Sequence, residues 1–418
     1  MWRHGETAAG GAVMPLVFVH GVATRQSPRH RAQVHQRDAL FKQLVLPNGD
    51  EVFDPDWGSD GVKFDPALPW MPELGGAQPF ATGHAGQVGT GQVGIGWLAT
   101  RHPERAIDVA FEAGLAARVE NAIRAGDPAE AMTTNELATF KAAVRYLEAG
   151  ADNTAFDPLG SDAEFISALA LELKPHLPSK GSAAEPMGPA SDALQWLRRG
   201  LKDLVSPVAN TVSDVLLRFV RRPLTEQVAF VLGDVFVYLR RRETSGVTGV
   251  ANRIFAPIIA DLTKATRLRS TANPLIVVGH SLGGVILYDL LSDRSAVARI
   301  EADGGSELVI DAWITVGAQT SLFADMGLYG TVPGTAANGR LPRPEPVRAW
   351  LNVYDYTDVL SFSCEKIFND VEDFEFDNVI GLFSAHSSYF QRPSFYQLLR
   401  TRLNELRQTN DARLSTPG

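Results

Sequence analysis

The fold is decided by the stretch Leu275-Ile276-Val277-Val278-Gly279-His280-Ser281-Leu282-Gly283-Gly284-Val285-Ile286-Leu287. An apolar run precedes the pattern Gly-x-Ser-x-Gly in it, and a second apolar run follows the pattern. A short apolar run that ends at glycine is typical of a strand buried on both faces. We therefore predict a strand up to Val278, a sharp turn that carries Ser281, and a helix that begins at Leu282.

The spacing of the pattern has a mechanical reason. Side chains at positions 279 and 283 would collide with neighbouring backbone in so sharp a strand-to-helix turn, and glycine avoids the collision. Such a turn lifts the Ser281 hydroxyl above the sheet. It also leaves the Leu282 amide, at the start of the helix, free to bind negative charge. These features predict that Ser281 is a nucleophile.

The chain divides into three zones by its apolar patterns. Residues 1–74 contain the short apolar run Pro15-Leu16-Val17-Phe18-Val19. Residues 75–225 have the character of a mostly helical insertion or cap, and residues 226–410 return to apolar runs separated by helical patterns. Short buried strands that alternate with helices predict an α/β protein with a mostly parallel central sheet covered by helices.

Further strands are predicted on both sides of the insertion. In the first zone a second candidate strand lies at Trp57 to Phe64, between proline and glycine residues. In the third zone strands are expected at Ala312 to Val316 and at Val347 to Tyr354, with a last helix at Ser394 to Leu406. The acidic run from Asp370 to Asp377 is interpreted as a solvated face.

Composition argues against several classes of partner, metal site and location. The 418 residues are 45% hydrophobic and 21% charged, as in globular proteins, and the net charge of −9 argues against nucleic acid as a partner. The single cysteine, Cys364, excludes internal disulfides and cysteine-rich zinc sites. The first residues contain no apolar run that resembles a signal peptide, and no segment has the length of a membrane span. We therefore expect a cytoplasmic protein.

Two motifs together resemble those of the α/β-hydrolase superfamily, and within it the lipase-like serine esterases. The motifs are Gly279-His280-Ser281-Leu282-Gly283-Gly284 and, far upstream, Val17-Phe18-Val19-His20-Gly21-Val22. The resemblance implies an α/β-hydrolase fold with a large helical insertion as cap or lid. It also implies that the amides of Val22 and Leu282 form the oxyanion hole, and that His20 and Gly21 shape the upstream loop. The middle zone lies outside this resemblance.

The resemblance also implies the remaining residues of a catalytic triad. The family orders its triad as serine, acid, histidine along the chain. Among nine histidines only His386 follows Ser281, so the resemblance implies that His386 is the base. The family's acid comes just after a late strand, often as the second aspartate of Asp-x-x-Asp. Asp358 in Asp355-Tyr356-Thr357-Asp358 is therefore our candidate, with Asp355 as the alternative.

The implied chemistry is the cleavage of carboxylic esters, with lipid-like substrates favoured. It requires no metal and no organic cofactor. Residues 190–270 carry thirteen basic and seven acidic side chains, and an apolar stripe with helical spacing runs from Leu194 to Phe219, with Pro207 expected to divide it. A basic amphipathic helix of this kind can lie on an anionic membrane, so peripheral membrane contact through the insertion is a second expectation.

Two other readings of the sequence stay open. One is a thioesterase, an amidase or an acyltransferase, since an acyl-enzyme on the same triad serves all three reactions. The other is a non-catalytic hydrolase-like scaffold whose helical insertion binds a partner protein. The sequence does not choose among acyl groups or head groups.

Overall fold

A computed structural model of the chain describes ten ranges of residues, and the account below is restricted to them. These ranges are 14–46, 51–64, 95–150, 153–156, 161–177, 194–204, 214–247, 252–330, 338–376 and 385–415. The expected zone boundary at residue 74 lies outside the described residues, and so does the segment around Pro207.

A six-stranded sheet forms the centre of the protein, with every described strand pair parallel. The order across the sheet is β2-β1-β3-β4-β5-β6. The strands are β1 (Leu16–Val19), β2 (Val52–Phe53), β3 (Ile276–His280), β4 (Ala312–Val316), β5 (Trp350–Tyr354) and β6 (Val371–Glu375). The predicted α/β class with a parallel sheet covered by helices is confirmed.

Helices connect the strands. The first part of the chain has α1 (Pro28–Leu44), α2 (Ile95–Ala99), α3 (Pro103–Ala125), α4 (Thr134–Glu148), α5 (Asp162–Leu173) and α6 (Gln195–Leu204). The second part has α7 (Asp214–Ser245), α8 (Phe255–Leu268), α9 (Leu282–Ser292), α10 (Arg294–Gly304), α11 (Thr320–Asp325), α12 (Ala385–Ser388) and α13 (Pro393–Ser415). Helix α7 runs across the boundary expected at residue 225.

Local sequence explains where several of these elements begin. The Ser27 side chain accepts a hydrogen bond from the His30 amide, and Pro28 occupies the first turn, so α1 begins there. Helix α4 begins with a reciprocal capping box between Thr133 and Glu136. Strand β1 is buried along its whole length, as its continuous apolar run predicts.

The two faces of the sheet belong to two separate apolar clusters. Successive side chains of a strand point to opposite faces, so each strand contributes to both. One cluster joins the sheet to α1, to α3 through α6 and to α13, and its strand residues include Leu16, Phe18, Ile276, Val278 and Ile314. The other joins the sheet to α8, α9 and α10, and its strand residues include Val17, Val19, Val277, Trp313 and Trp350.

The middle zone therefore covers one face of the sheet. Helix α6 illustrates this, because its residues Leu197 and Leu201, and Leu194 just before it, are buried in the same cluster as the strands. Its Trp196 ring meets Phe111 of α3 edge to face, with the ring centroids 5.5 Å apart. The part of the predicted Leu194 to Phe219 stripe that α6 carries is thus an internal surface.

One predicted strand is wrong, and one observed strand was not predicted. The second strand is Val52–Phe53, whereas the predicted segment from Trp57 begins with a 3-10 turn at Gly58–Asp60 that buries the indole. The acidic run interpreted as a solvated face contains the unpredicted strand β6, an edge strand paired with β5, and Asp370, Glu372 and Glu375 in this run are exposed as expected. Its Asp373 accepts hydrogen bonds from the Asn352 side chain and the Cys364 amide, so that carboxylate is structural.

The strand order places a topological switch point between β1 and β3. From β1 the chain first moves outward to β2, and it later returns to the other side of β1 through β3. Ligands of open parallel sheets bind outside the carboxyl ends of the strands at such a point. The residues that follow these two strands are His20-Gly21 and Ser281.

Candidate active site

Ser281 occupies a strained backbone position between β3 and α9. Its φ of 54° and ψ of −128° lie in a region that residues with a Cβ rarely adopt. The position is fixed by hydrogen bonds on both sides, because the Ser281 amide donates to the Val316 carbonyl and its carbonyl accepts from the Gly284 amide, each at 3.0 Å. Strain of this kind persists where the surrounding structure holds it, commonly at functional sites.

The glycines of the pattern allow the close approach of α9 to the strands. A Cβ at Gly283 would run into the carbonyl oxygen of Val19, at the end of β1. A Cβ at Gly279 would lie 2.8 Å from the Cα of Gly284. Both neighbours are backbone atoms, which cannot move aside without shifting a strand or a helix. The turn that presents Ser281 therefore depends on these two glycines, as the spacing predicts.

Three side chains from distant parts of the sequence form a hydrogen-bonded chain. His386 Nε2 lies 2.8 Å from Ser281 Oγ, and His386 Nδ1 lies 2.8 Å from Asp358 Oδ2. A carboxylate only accepts, so Nδ1 carries the proton and Nε2 is left to accept from the serine hydroxyl. This arrangement can withdraw the serine proton as the oxygen attacks an electrophile.

The carboxylate of Asp358 is buried and receives two further hydrogen bonds. The Leu360 amide donates to Oδ1 and the Tyr389 hydroxyl donates to Oδ2, each at 3.0 Å. Burial opposes ionisation of Asp358, but the hydrogen bond and charge of His386 and the other donors outweigh it and lower the pKa of Asp358. Asp358 is therefore charged at neutral pH. Tyr389 follows His386 by three residues but was not predicted to belong to the site.

Asp355 has a different environment from Asp358. Its Oδ1 accepts hydrogen bonds from the amide and the hydroxyl of Thr357, at 2.7 and 2.8 Å, which is a turn-forming arrangement. No described hydrogen bond joins Asp355 to His386. Of the two aspartates that the sequence leaves open, the structure therefore places Asp358 beside the histidine.

His280 holds the segment that carries His386. Its Nε2 lies 2.7 Å from the backbone carbonyl oxygen of His386, and a carbonyl only accepts, so Nε2 carries a proton. Burial, together with the nearby His386, lowers the pKa of His280 to about 3, which keeps this imidazole neutral. His280, the residue before Ser281, is therefore hydrogen-bonded to the segment that carries His386.

The loop after β1 lies directly against Ser281. A Cβ at Gly21 would lie 2.6 Å from the Ser281 Cβ, so only glycine leaves room for the serine there. The next residue is Val22. Among the described residues, the amides of Val22 and Leu282 have no hydrogen-bond partner. Unpaired amides on residues next to Gly21 and Ser281 are groups that could bind an oxyanion.

His20 shapes this loop, and its side chain makes no described hydrogen bond to Ser281, His386 or Asp358. Its Nδ1 donates to the Gly21 carbonyl at 3.0 Å, and its ring stacks on the Trp57 indole with centroids 5.0 Å apart. The Trp57 indole N–H in turn donates to the His20 carbonyl at 2.9 Å. Burial lowers the pKa of His20 to about 4, so the ring is neutral at physiological pH.

A cavity of about 650 Å³ opens in front of Ser281 and His386. Helix α1, the loop after β1, helix α7 and the segment after β5 form its walls. The apolar part of its lining includes Phe18, Val34, Val231, Leu232 and Phe390. A volume of this size accommodates a small organic ligand or a short acyl chain.

Within the described residues, no metal site supplements this geometry. In the part of the chain that the structure describes, no group of three or more His, Cys, Asp and Glu side chains could hold a metal ion. None of the described helices combines the length and apolar character needed to cross a bilayer. Protein-family models, curated proteins and solved structures were compared with the chain, and none of them matches it.

Proposed function

We propose that this protein is a serine hydrolase that cleaves carboxylic esters through an acyl-enzyme on Ser281. The observation that carries the proposal is the continuous hydrogen-bonded chain from Ser281 Oγ through His386 to Asp358. The strained position of Ser281 and the amides of Val22 and Leu282, which are unpaired among the described residues, support the same conclusion. A serine hydroxyl is a poor nucleophile near neutral pH, and an adjacent base oriented by an acid is what activates it.

The fold assignment that we propose is the α/β-hydrolase fold. Its support is positional: the serine follows a central strand, the histidine follows the last strand, and the acid follows the strand between them. The His-Gly loop follows the neighbouring strand β1, on the other side of the serine strand from β4. The mostly helical middle zone then forms one layer over the sheet, and α7, which begins in this zone, forms one wall of the cavity with residues that follow it.

The mechanism follows from these positions. Ser281 Oγ attacks the ester carbonyl while His386 Nε2 takes the hydroxyl proton, and the Val22 and Leu282 amides stabilise the oxyanion of the tetrahedral intermediate. His386 then protonates the leaving alcohol as the acyl-enzyme forms. A water molecule, deprotonated by the same imidazole, attacks the acyl-enzyme and releases the acid. Asp358 keeps the histidine in the required tautomer and stabilises its charged form.

An apolar acyl group is the substrate feature that the cavity favours. The walls near Ser281 are contributed by aliphatic and aromatic side chains, among them Val22, Val231 and Phe390. Burial of an acyl chain against such walls is favourable by roughly 0.8 kcal/mol for each methylene group. A lipid-like ester is therefore the substrate class that we propose.

The test is a substrate panel applied to the wild type and to Ser281→Ala. p-Nitrophenyl esters of increasing chain length, matched thioesters and matched anilides distinguish esterase, thioesterase and amidase activities. We expect ester hydrolysis, with loss of about 10⁶ in kcat for Ser281→Ala, as for the loss of other serine nucleophiles. The control is Ser321→Ala, because Ser321 is another buried serine, on α11, and should retain activity.

A fluorophosphonate probe separates an enzyme from a non-catalytic scaffold. We expect covalent labelling of Ser281, identified by mass spectrometry of the modified peptide, and none in Ser281→Ala. A wild-type protein that is folded but neither reacts with the probe nor hydrolyses any member of the panel would overturn the proposed function.

We also propose that the protein contacts lipid surfaces beside the cavity. The apolar residues of α6 are buried, but α7 has an exposed apolar stripe of Val228, Leu232 and Phe236, spaced one helical turn apart. Val228 and Leu232 also line the cavity. Flotation with liposomes tests the contact. Leu232→Asp should reduce the fraction of protein that floats with the liposomes, whereas an unchanged fraction would exclude this stripe as the contact.

A further inference from the structure

A buried carboxylate in the middle of α7 binds two loops beside the candidate active site. Asp234 is fully buried. Its Oδ2 accepts a hydrogen bond from the Ala23 amide, and its Oδ1 accepts one from the Val62 amide, each at 2.7 Å. One side chain of α7 therefore fixes both the loop after β1 and the segment after the Gly58–Asp60 turn.

Arg25 completes this network with a bidentate ion pair. Its two terminal nitrogens lie 2.6 and 3.0 Å from the two oxygens of Asp234. The same guanidinium donates to the carbonyl oxygens of Thr24 and Val62, each at 2.9 Å. The charge of the buried carboxylate is thus balanced, and all its contacts stabilise one shape of the loop.

The loop needs such support because its backbone is strained. Ala23 has a φ of 57°, in the left-handed region that favours glycine. Its amide is the group that Asp234 binds. Ala23 follows Val22 directly, so the Asp234 hydrogen bond fixes the peptide plane between Val22 and Ala23.

The peptide plane on the other side of Val22 is fixed as well. The Gly21 carbonyl oxygen accepts hydrogen bonds from His20 Nδ1 and from the Thr24 hydroxyl, each at 3.0 Å. A trans peptide directs its carbonyl and its N–H in opposite directions, so these two contacts also orient the Val22 N–H. The two peptide planes that flank Val22 are therefore both fixed. One is fixed by hydrogen bonds within the loop, and the other is fixed by Asp234 of α7.

The same part of α7 lines the cavity. Val228, Val231 and Leu232 contribute to its wall, within two turns of Asp234 on the same helix. Movement of α7 away from the cavity would therefore withdraw the carboxylate from the Ala23 amide.

We propose that Asp234 is a positioning residue that makes the oxyanion site depend on the closed position of α7. Its carboxylate holds residues 21–25 in the shape that presents the Val22 amide to the reacting carbonyl oxygen. When α7 moves away from the cavity, the left-handed backbone at Ala23 relaxes, and the Val22 amide is no longer directed at the reacting oxygen. This inference rests on the proposed ester hydrolysis for its catalytic consequence, but its structural part does not.

The test compares Asp234→Asn with Asp289→Asn. Asparagine at 234 cannot accept hydrogen bonds at both of its terminal atoms, so at least one loop is released. Asp289 is the matched control, because it is also fully buried and also binds α7, through Arg242 at 2.8 Å and the Tyr238 hydroxyl. It has no described contact with residues 21–25.

Steady-state kinetics with the best ester of the panel measures the catalytic part. Asp234→Asn should lower kcat by about 10²-fold with little change in KM, since a displaced oxyanion donor acts only in the transition state. The affinity for a trifluoromethyl ketone, which forms a tetrahedral adduct, should fall by a similar factor. Asp289→Asn should lower the melting temperature but leave kcat unchanged. Equal effects of both variants on kcat would overturn the positioning role.

Hydrogen–deuterium exchange measures the structural part without any need for activity. The peptide that spans β1 and residues 20–27 should exchange faster in Asp234→Asn than in the wild type or in Asp289→Asn. Unchanged exchange there would overturn the inference even in an active enzyme. Faster exchange in a protein that the fluorophosphonate probe does not label would instead overturn the proposed function. The structural role of Asp234 in holding residues 21–25 would then still stand.

Discussion

Replacing Asp358 with asparagine is expected to inactivate the protein while leaving it folded. The Leu360 amide lies 3.0 Å from Oδ1 of Asp358 and requires an acceptor there. The carbonyl oxygen of an asparagine would therefore face Leu360, and its NH₂ group would face His386. That NH₂ would donate to His386 Nδ1 and move the imidazole proton to Nε2. A protonated Nε2 cannot accept the proton of Ser281.

The size of the effect follows from this change of tautomer. A histidine held in the wrong tautomer lowers the kcat of a serine hydrolase by about 10⁴-fold, which corresponds to about 5.5 kcal/mol of activation free energy. Stability should change less, because the asparagine keeps the Leu360 contact and its NH₂ group can donate a second hydrogen bond to the Tyr389 hydroxyl oxygen. The expected variant is thus folded, binds substrate, and turns over slowly.

The assay is hydrolysis of the best ester of the panel, together with the rate of fluorophosphonate labelling. Asp355→Asn is the matched control, because an asparagine there keeps an acceptor for the amide and hydroxyl of Thr357. We expect kcat of this control to remain at the wild-type level. An Asp358→Asn variant with wild-type kcat, or an Asp355→Asn variant with the larger loss, would refute the reasoning.

Three further outcomes are expected. Tyr389→Phe removes one hydrogen bond to a buried carboxylate, so chemical denaturation should show a free energy of unfolding lower by about 1.5–3 kcal/mol. We expect kcat to fall no more than about tenfold. A larger loss of kcat would give the hydroxyl a direct role in the reaction. Gly21→Ala places a Cβ 2.6 Å from that of Ser281, so fluorophosphonate labelling should fall sharply and the melting temperature should fall as well, because the overpacking costs about 1–3 kcal/mol. A pKa of about 4 for the buried His20, against an ordinary 6.5, means that the unfolded chain binds the additional proton between these values. His20 therefore contributes stability that is complete above pH 6.5 and is lost as the pH falls through 4, by about 3 kcal/mol relative to His20→Asn, measured by urea unfolding across that range. A constant difference between the two proteins would contradict this linkage.

The strands that could be predicted from sequence are those that the sheet buries on both faces. The apolar runs that became β1 and β3 needed no other information, because only a central parallel strand is apolar at every position. Edge strands lack this signal. β2 has only the two residues Val52–Phe53, and three of the five residues of the edge strand β6 are acidic.

The candidate site was predictable where chain order or local spacing limits the choice. Ser281 and its glycines form one local pattern, and His386 is the single histidine after it. Asp358 and Asp355 could not be separated from sequence, because the choice depends on which carboxylate the fold turns toward the imidazole.

The contact of Asp234 with Ala23 joins residues more than 200 positions apart, and no local pattern encodes such a contact. The available signal was one acidic residue within the apolar segment from Val228 to Tyr238. A carboxylate on a buried helix face needs a charged or hydrogen-bonding partner. Only the folded structure shows which residue that partner is.

The pairing of β1 with β3 has a consequence for how the chain is made. Leu16 pairs with Ile276, and 259 residues separate them along the chain. Ribosomes extend a chain at about 5–20 residues per second, so roughly 13–50 s pass between the synthesis of these neighbours. During this interval the helices of α3 to α6 expose the apolar faces that the finished sheet will cover. Until β3 is synthesised, these faces lack the complete sheet on which they pack and are open to association with other chains.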